Sequence, residues 1–127
     1  MANLLNDLIA IEENCAKLFN KGDLDELLKN FSENISGFSS TEHDRFQGQA
    51  ELKKTFEYYL AEADDVTFEI MNPVSTDLND IAILSFYWRV TLLHGHKRVE
   101  IPGRGTHVYQ KKNGTWKIIH EHFSRVH

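Results

Sequence analysis

The sequence predicts an α+β domain, three helices followed by an antiparallel meander. From residue 3 to about 62, apolar residues recur at helical spacing, with breaks at Asn20-Lys21-Gly22 and before Gly48. After Asp64-Asp65 they alternate with a period of two, as in strands. Asn113-Gly114, between two apolar-rich runs, marks a hairpin, because both residues tolerate the positive φ of a type I′ turn. Helices of this kind must bury one stripe on the sheet. A sheet of about five long strands twists and curls, which leaves a cavity between the layers.

The first helix spans about residues 3–20, with Leu5, Leu8, Ile9, Ile11, Cys15, Leu18 and Phe19 as its apolar stripe and Asn and Glu between them. Gly22 suits the left-handed residue that ends it. Asp23, with Glu26 three residues on, caps a second helix that buries Leu24, Leu27, Leu28 and Phe31. Ile35–Ser39 is a short strand and Ser40–Phe46 a polar loop. The third helix, about 49–62, presents Leu52, Phe56, Tyr59 and Leu60.

Val66, Phe68 and Ile70 open the meander, and Pro73 marks an irregularity or an edge. Asn79-Asp80 turns the chain into a long strand from Ile81 to Leu93. Strand geometry puts Ala82, Leu84, Phe86, Trp88 and Val90 on one face and Ile83, Ser85, Tyr87, Arg89 and Thr91 on the other. Both sets are apolar enough to call for cover by helices or a second subunit. A polar turn at His94–Arg98 leads through Val99–Ile101 and Pro102-Gly103 into the last hairpin. On the final strand, strict alternation places Trp116, Ile118, His120, His122 and Ser124 on one face, and Lys117, Ile119, Glu121, Phe123 and Arg125 on the other. An apolar start that ends in His-x-His-x-Ser on one face reads as a core opening into a polar pocket.

The 127 residues, 41% of them hydrophobic and 26% charged, fit one soluble domain covering residues 1–127. A net charge of −5 disfavours a nucleic-acid backbone as partner. The single cysteine excludes an intrachain disulfide, and neither a basic, apolar leader nor a membrane-length apolar run is present. The expectation is a cytoplasmic protein with no membrane partner. No cofactor motif is found, and none is expected. The His120-x-His122 pair lacks a third ligand fixed by spacing, so no metal is expected either.

Nearly the whole chain resembles the SnoaL-like branch of the nuclear transport factor 2-like superfamily. The resemblance rests on the element order, on Asn20-Lys-Gly-Asp-Leu-Asp-Glu-Leu27 and above all on Asn113-Gly-Thr-Trp-Lys-Ile-Ile-His-Glu-His-Phe-Ser124. The ending is also similar to the association domain of calcium/calmodulin-dependent protein kinase II. The resemblance implies a cone-shaped fold, three N-terminal helices packed on a strongly curved antiparallel sheet, with a pocket at the open end and a homodimer through the sheet. The superfamily contains steroid isomerases, dehydratases, cyclases and non-enzymes, so the fold by itself assigns no activity. With Gly22-Asp23 as anchor, the isomerase Tyr and Asp fall on Cys15 and Ser39, and the third acid near Thr106. None of the three chemical groups is kept. Likeness to the association domain places a pocket arginine at Arg89, within Trp88-Arg89-Val90-Thr91, and replaces a second by His107, within Thr106-His107-Val108-Tyr109.

Two readings follow. In the first, the chain binds a small, partly apolar molecule that would be carboxylate-bearing if Arg89 faces the pocket. Tyr87, Arg89, His107, Tyr109, His120 and His122 are the candidate ligand residues. One of His107, His120 and His122 would serve as a general base if there is catalysis, since an ordinary histidine titrates near neutral pH. In the second, the pocket is vestigial and the domain is a homo-oligomerisation module. An exposed sheet face carrying Phe86, Trp88, Val90 and Phe123 would be an aggregation liability in a monomer, which points to a homodimer.

Overall fold

The computed structural model describes residues 3–125; Met1, Ala2, Val126 and His127 lie outside the described residues, and with them the two ends of the expected 1–127 domain. The element order is α1 (Leu4–Lys21), α2 (Leu24–Leu28), β1 (Phe31–Phe38), β2 (Phe46–Gln47), α3 (Gln49–Leu60), β3 (Asp65–Leu78), β4 (Ile81–His94), β5 (Lys97–Lys112) and β6 (Thr115–Arg125). The strands form one open, curved six-stranded sheet in the order β2-β1-β6-β5-β4-β3. All neighbours are antiparallel except β1 and β6. That parallel pair brings the N-terminal half of the chain against its last strand.

Local chemistry sets most boundaries. The Asn3 side chain accepts the Asn6 N–H at 3.2 Å, and Gly22, at φ 75°, closes α1 in the left-handed region. Asp23 caps α2 through the Glu26 N–H. Asn113 and Gly114 both have positive φ, as a type I′ turn requires. The register slips between Met71 and Val74, where Asn72 adopts φ 52° ahead of Pro73. Several expected boundaries differ: Phe46 begins a short strand rather than ending a loop, and β5 begins at Lys97, inside the expected turn. The second helix ends at Leu28, so Phe31 opens β1 rather than closing a helix, and β1 is correspondingly longer than Ile35–Ser39. Pro102-Gly103 does not interrupt β5, which runs unbroken for 16 residues.

The helices cover one face of the sheet. Leu8, Cys15 and Phe19 of α1 and Leu52 and Tyr59 of α3 meet Leu84, Phe86, Trp88 and Val90 of β4 in the core. Phe86, Trp88, Val90 and Phe123 therefore lie on the covered face, not on a bare one, and their exposure gives no argument for a dimer. Their alternates, including Tyr87 and Arg89, face out.

The decisive irregularity is on β6. Tyr109 pairs with Ile118, but Val108 pairs with His120. One extra residue, Ile119, is accommodated in a β-bulge. Cross-strand neighbours share a face, so Ile118 follows Tyr109 inward while His120 follows Val108 outward. Beyond the bulge the alternation is reversed: Glu121 and Phe123 point into the core, and His120, His122 and Ser124 point away. The expected pocket face Trp116-Ile118-His120-His122-Ser124 is thus split in two.

Two glycines let bulky groups close on the sheet. A Cβ on Gly103 would sit 2.1 Å from the Trp88 ring. A Cβ on Gly37 would sit 1.8 Å from the Glu121 carbonyl oxygen, its register partner on β6. Backbone offers no rotamer to relieve that clash. Gly37→Ala is expected to cost at least about 3 kcal/mol, at the upper end of single-residue effects, measured by urea unfolding. A loss below about 1 kcal/mol would mean that β1 and β6 are not this close, since such a value is ordinary for substitutions without a special cause.

Candidate functional site

The reversed strand brings together a buried ionisable cluster. Glu12 from α1, His107 from β5 and Glu121 from β6 are 1%, 3% and 3% exposed. His107 lies between the two acids, its Nδ1–H donating to Glu12 Oε2 at 2.5 Å and its Nε2–H to Glu121 Oε1 at 2.7 Å. The Tyr109 hydroxyl also donates to Glu12 Oε2. An ionised carboxylate only accepts, so two carboxylates on one imidazole require both ring nitrogens to be protonated. The ring is therefore an imidazolium. Burial opposes that charge, but the charge and hydrogen bond of Glu12, reinforced by Glu121, push the His107 pKa up to about 10. Phe86 and Phe123, with centroids 5.3 and 5.4 Å from the imidazole, keep water from its faces.

The cluster forms one wall of a cavity of about 60 Å³ between helices and sheet. Phe19, Phe31, Phe56, Phe68, Trp88 and Phe123 supply most of the rest, with the hydroxyls of Ser39, Ser40 and Thr55. Ser40 and Tyr59 share a 2.7 Å hydrogen bond that ties the loop after β1 to α3. Glu12 Oε1 and Glu121 Oε2 have no hydrogen-bond partner among the described residues.

The candidate residues divide cleanly. His107 is in the cavity wall, and Tyr109, fully buried, holds Glu12 from behind. Cys15 and Ser39, the positions matched to the isomerase Tyr and Asp, both line the cavity. Burial, then the charges of Glu12 and Glu121, push the Cys15 thiol well above its usual pKa, so it is neither thiolate nor nucleophile. Arg89 is not in the cavity. On the odd-numbered, outward face of β4, it pairs with Glu69 across the β3–β4 ladder. Tyr87, 51% exposed, is on the same outer face. His120 and His122 are also outside, where His122 packs on Phe38 with centroids 5.2 Å apart. Partial burial, then His122, holds the His120 pKa below the usual value.

Glu12 and Glu121 were not among the candidates. Glu12 was legible: it falls four residues after Leu8, three before Cys15 and seven before Phe19, in the middle of the helical stripe. A charge there must be paired. Glu121 was hidden, because no residue in Ile118-Ile119-His120 announces the bulge.

The same architecture is found in solved structures: the CaMKII hub of S. rosetta (TM-score 0.84, 20% identity, 99% of each chain covered), an NTF2-like protein of unknown function from Pseudomonas putida KT2440 (0.82, 19%, 95% of this chain and 85% of that one) and a dehydratase candidate of the NTF2-like family from Streptomyces avermitilis (0.81, 13%, 94% and 93%). At these identities the likeness is one of fold. The chain belongs to the family of SnoaL-like domains, whose model matches residues 9–127. No curated protein matches it. Among the described residues, no helix is long and apolar enough to cross a membrane.

The raised His107 pKa links stability to pH. A group whose folded pKa exceeds its unfolded value stabilises the fold fully below the unfolded pKa, and that contribution is lost as pH rises through the folded pKa. The wild-type melting temperature is expected to fall between about pH 6.5 and 10. The fall should be clearly smaller in His107→Gln, which cannot titrate. Parallel melting curves of the two proteins across that range would refute the imidazolium.

Proposed function

We propose that the chain is a small-molecule-binding protein whose ligand occupies the cavity beside Glu12, His107 and Glu121. One observation carries this reading: charged groups this deeply buried normally satisfy one another or meet a ligand, and here two carboxylate oxygens remain without a partner at the edge of an otherwise apolar cavity. An apolar chamber with a few convergent polar groups is the usual form of a binding site. If a reaction occurs, His107 is not its neutral-pH base. A protonated imidazole has no lone pair to offer, and the base would be one of the flanking carboxylates. Arg89, on the outer face, is not available to a carboxylate-bearing ligand, and the cavity's charged His107 is already held between two carboxylates.

A second reading, self-association through the outer sheet face as a homodimer or larger assembly, draws on one observation. Tyr87, Val74 and Leu78, which are 51%, 63% and 54% exposed, share that face. The fold it shares with a CaMKII hub is compatible with such a role. The two readings do not exclude each other.

A fragment screen by ligand-observed NMR tests the first reading. Some fragments should bind wild type and lose at least tenfold in affinity in Thr55→Phe, which fills the cavity from α3, while Arg89→Ala leaves them bound. Hits that survive Thr55→Phe, or that vanish in Arg89→Ala, would place binding elsewhere. Sedimentation tests the second: an assembly that Tyr87→Glu dissociates is expected, and a wild-type monomer at tens of micromolar protein would rule it out.

A further inference from the structure

We infer that the ligand is a small organic cation, a protonated amine whose N–H meets Glu121 and Glu12 and whose alkyl groups lie against the aromatic walls. The inference rests on the cavity-binding reading and adds the chemical class. Its first support is charge. The buried array holds two carboxylates and one imidazolium. With both acids ionised, one negative charge is left over among side chains that are 1–3% exposed. Among the described residues no lysine or arginine pairs with either acid. Arg125 lies over the ring of Tyr59, a cavity residue, at 5.6 Å instead. An unmatched buried charge is costly, and a cation in the cavity would match it. An anion would meet the opposite field.

The second support is independent of charge. Glu121 lines the cavity while 3% exposed, and its Oε2 accepts no hydrogen bond among the described residues. Glu12 Oε1 is in the same position. Both oxygens are pure acceptors, so a group that pairs with them must be a donor. Among the described residues, the one buried side-chain donor without a partner in the same wall is the Trp88 indole N–H, whose ring also lines the cavity.

The third is the wall. Phe19, Phe56, Phe68, Trp88 and Phe123 surround the remaining space. Ring faces carry partial negative charge and attract alkylated ammonium groups, as in the aromatic cages that recognise methylated amines. Size agrees. At about 10–15 Å³ per water-sized sphere, a cavity of about 60 Å³ takes roughly four to six such groups, the scale of a trimethylammonium ion. A bulky ring system does not fit without opening the chamber.

The test compares three probes of similar size by protein NMR titration at pH 7: trimethylammonium, tert-butanol and acetate. Trimethylammonium is expected to perturb the Trp88 indole and Phe123 signals and to bind at least tenfold more tightly than tert-butanol, with no detectable acetate binding. Glu121→Gln, which keeps the shape and removes the charge, should weaken trimethylammonium at least tenfold and leave tert-butanol within twofold. Should that variant not fold, the ranking of the three probes on wild type decides alone. Binding of tert-butanol equal to or tighter than trimethylammonium, or any preference for acetate, overturns the cationic class and leaves the cavity-binding reading standing. Silence from all three overturns the cation proposal. The binding reading falls with it only if the fragment screen also yields nothing that Thr55→Phe displaces.

Discussion

Two buried carboxylates oblige this protein to hold a cation between them, and much of its long-range organisation follows. Glu12 and His107 are 95 residues apart in the chain, and Glu12 and Tyr109 are 97 apart. Their hydrogen bonds join the first helix to the last hairpin. Hydrophobic packing would tolerate a helix rotated or slid by part of a turn, because it is non-directional. A short hydrogen bond between a carboxylate and a ring nitrogen does not. The array need not add net stability over an apolar core of the same volume. It fixes which residues of α1 face which residues of β5 and β6.

That arrangement depends in turn on backbone details with no charge of their own. The bulge at Ile119 turns Glu121 to the inside, and Gly37 lets β1 lie close enough to seat the parallel β1–β6 pair against it. Gly103 allows the Trp88 indole to lie on the sheet and form a wall of the cavity. Each is a local departure from regular strand geometry, and together they build the chamber. Bulges next to functional sites commonly re-aim a side chain in this way.

SnoaL-like domains share a scaffold that is also used by kinase hubs, so chemistry must be argued from the site. Here the site is acidic overall, aromatic and small. Its histidine is charged by its neighbours and serves to orient them. Its cysteine is kept neutral by burial and by the same two acids. These features separate it from a nucleophilic or histidine-base centre and from an anion pocket. They suit a site that accepts a hydrogen-bond donor and positive charge. The outer face of the sheet, with Tyr87 and the Arg89–Glu69 pair, is physically separate from the cavity, so a substitution on one need not disturb the other.

The local features were determined by sequence alone, because they rest on short-range chemistry. Helix caps at Asp23 and Gly22, the Asn113-Gly114 turn, the irregularity at Pro73 and the two faces of β4 each depend on a few neighbouring residues and their dihedral preferences. That His107 and Tyr109 share one face was legible, because β5 alternates without interruption. Arg89 was misplaced by a matched motif, although the alternation of β4 already put it opposite Trp88. What only the tertiary structure decided was the face of β6 beyond Ile118, and hence the exchange of His120 and His122 for Glu121. A bulge is set by how two strands must twist to close over the helices, and a one-residue change in register inverts every side chain that follows. No local pattern in the sequence encodes that, because its cause lies in the strand paired alongside.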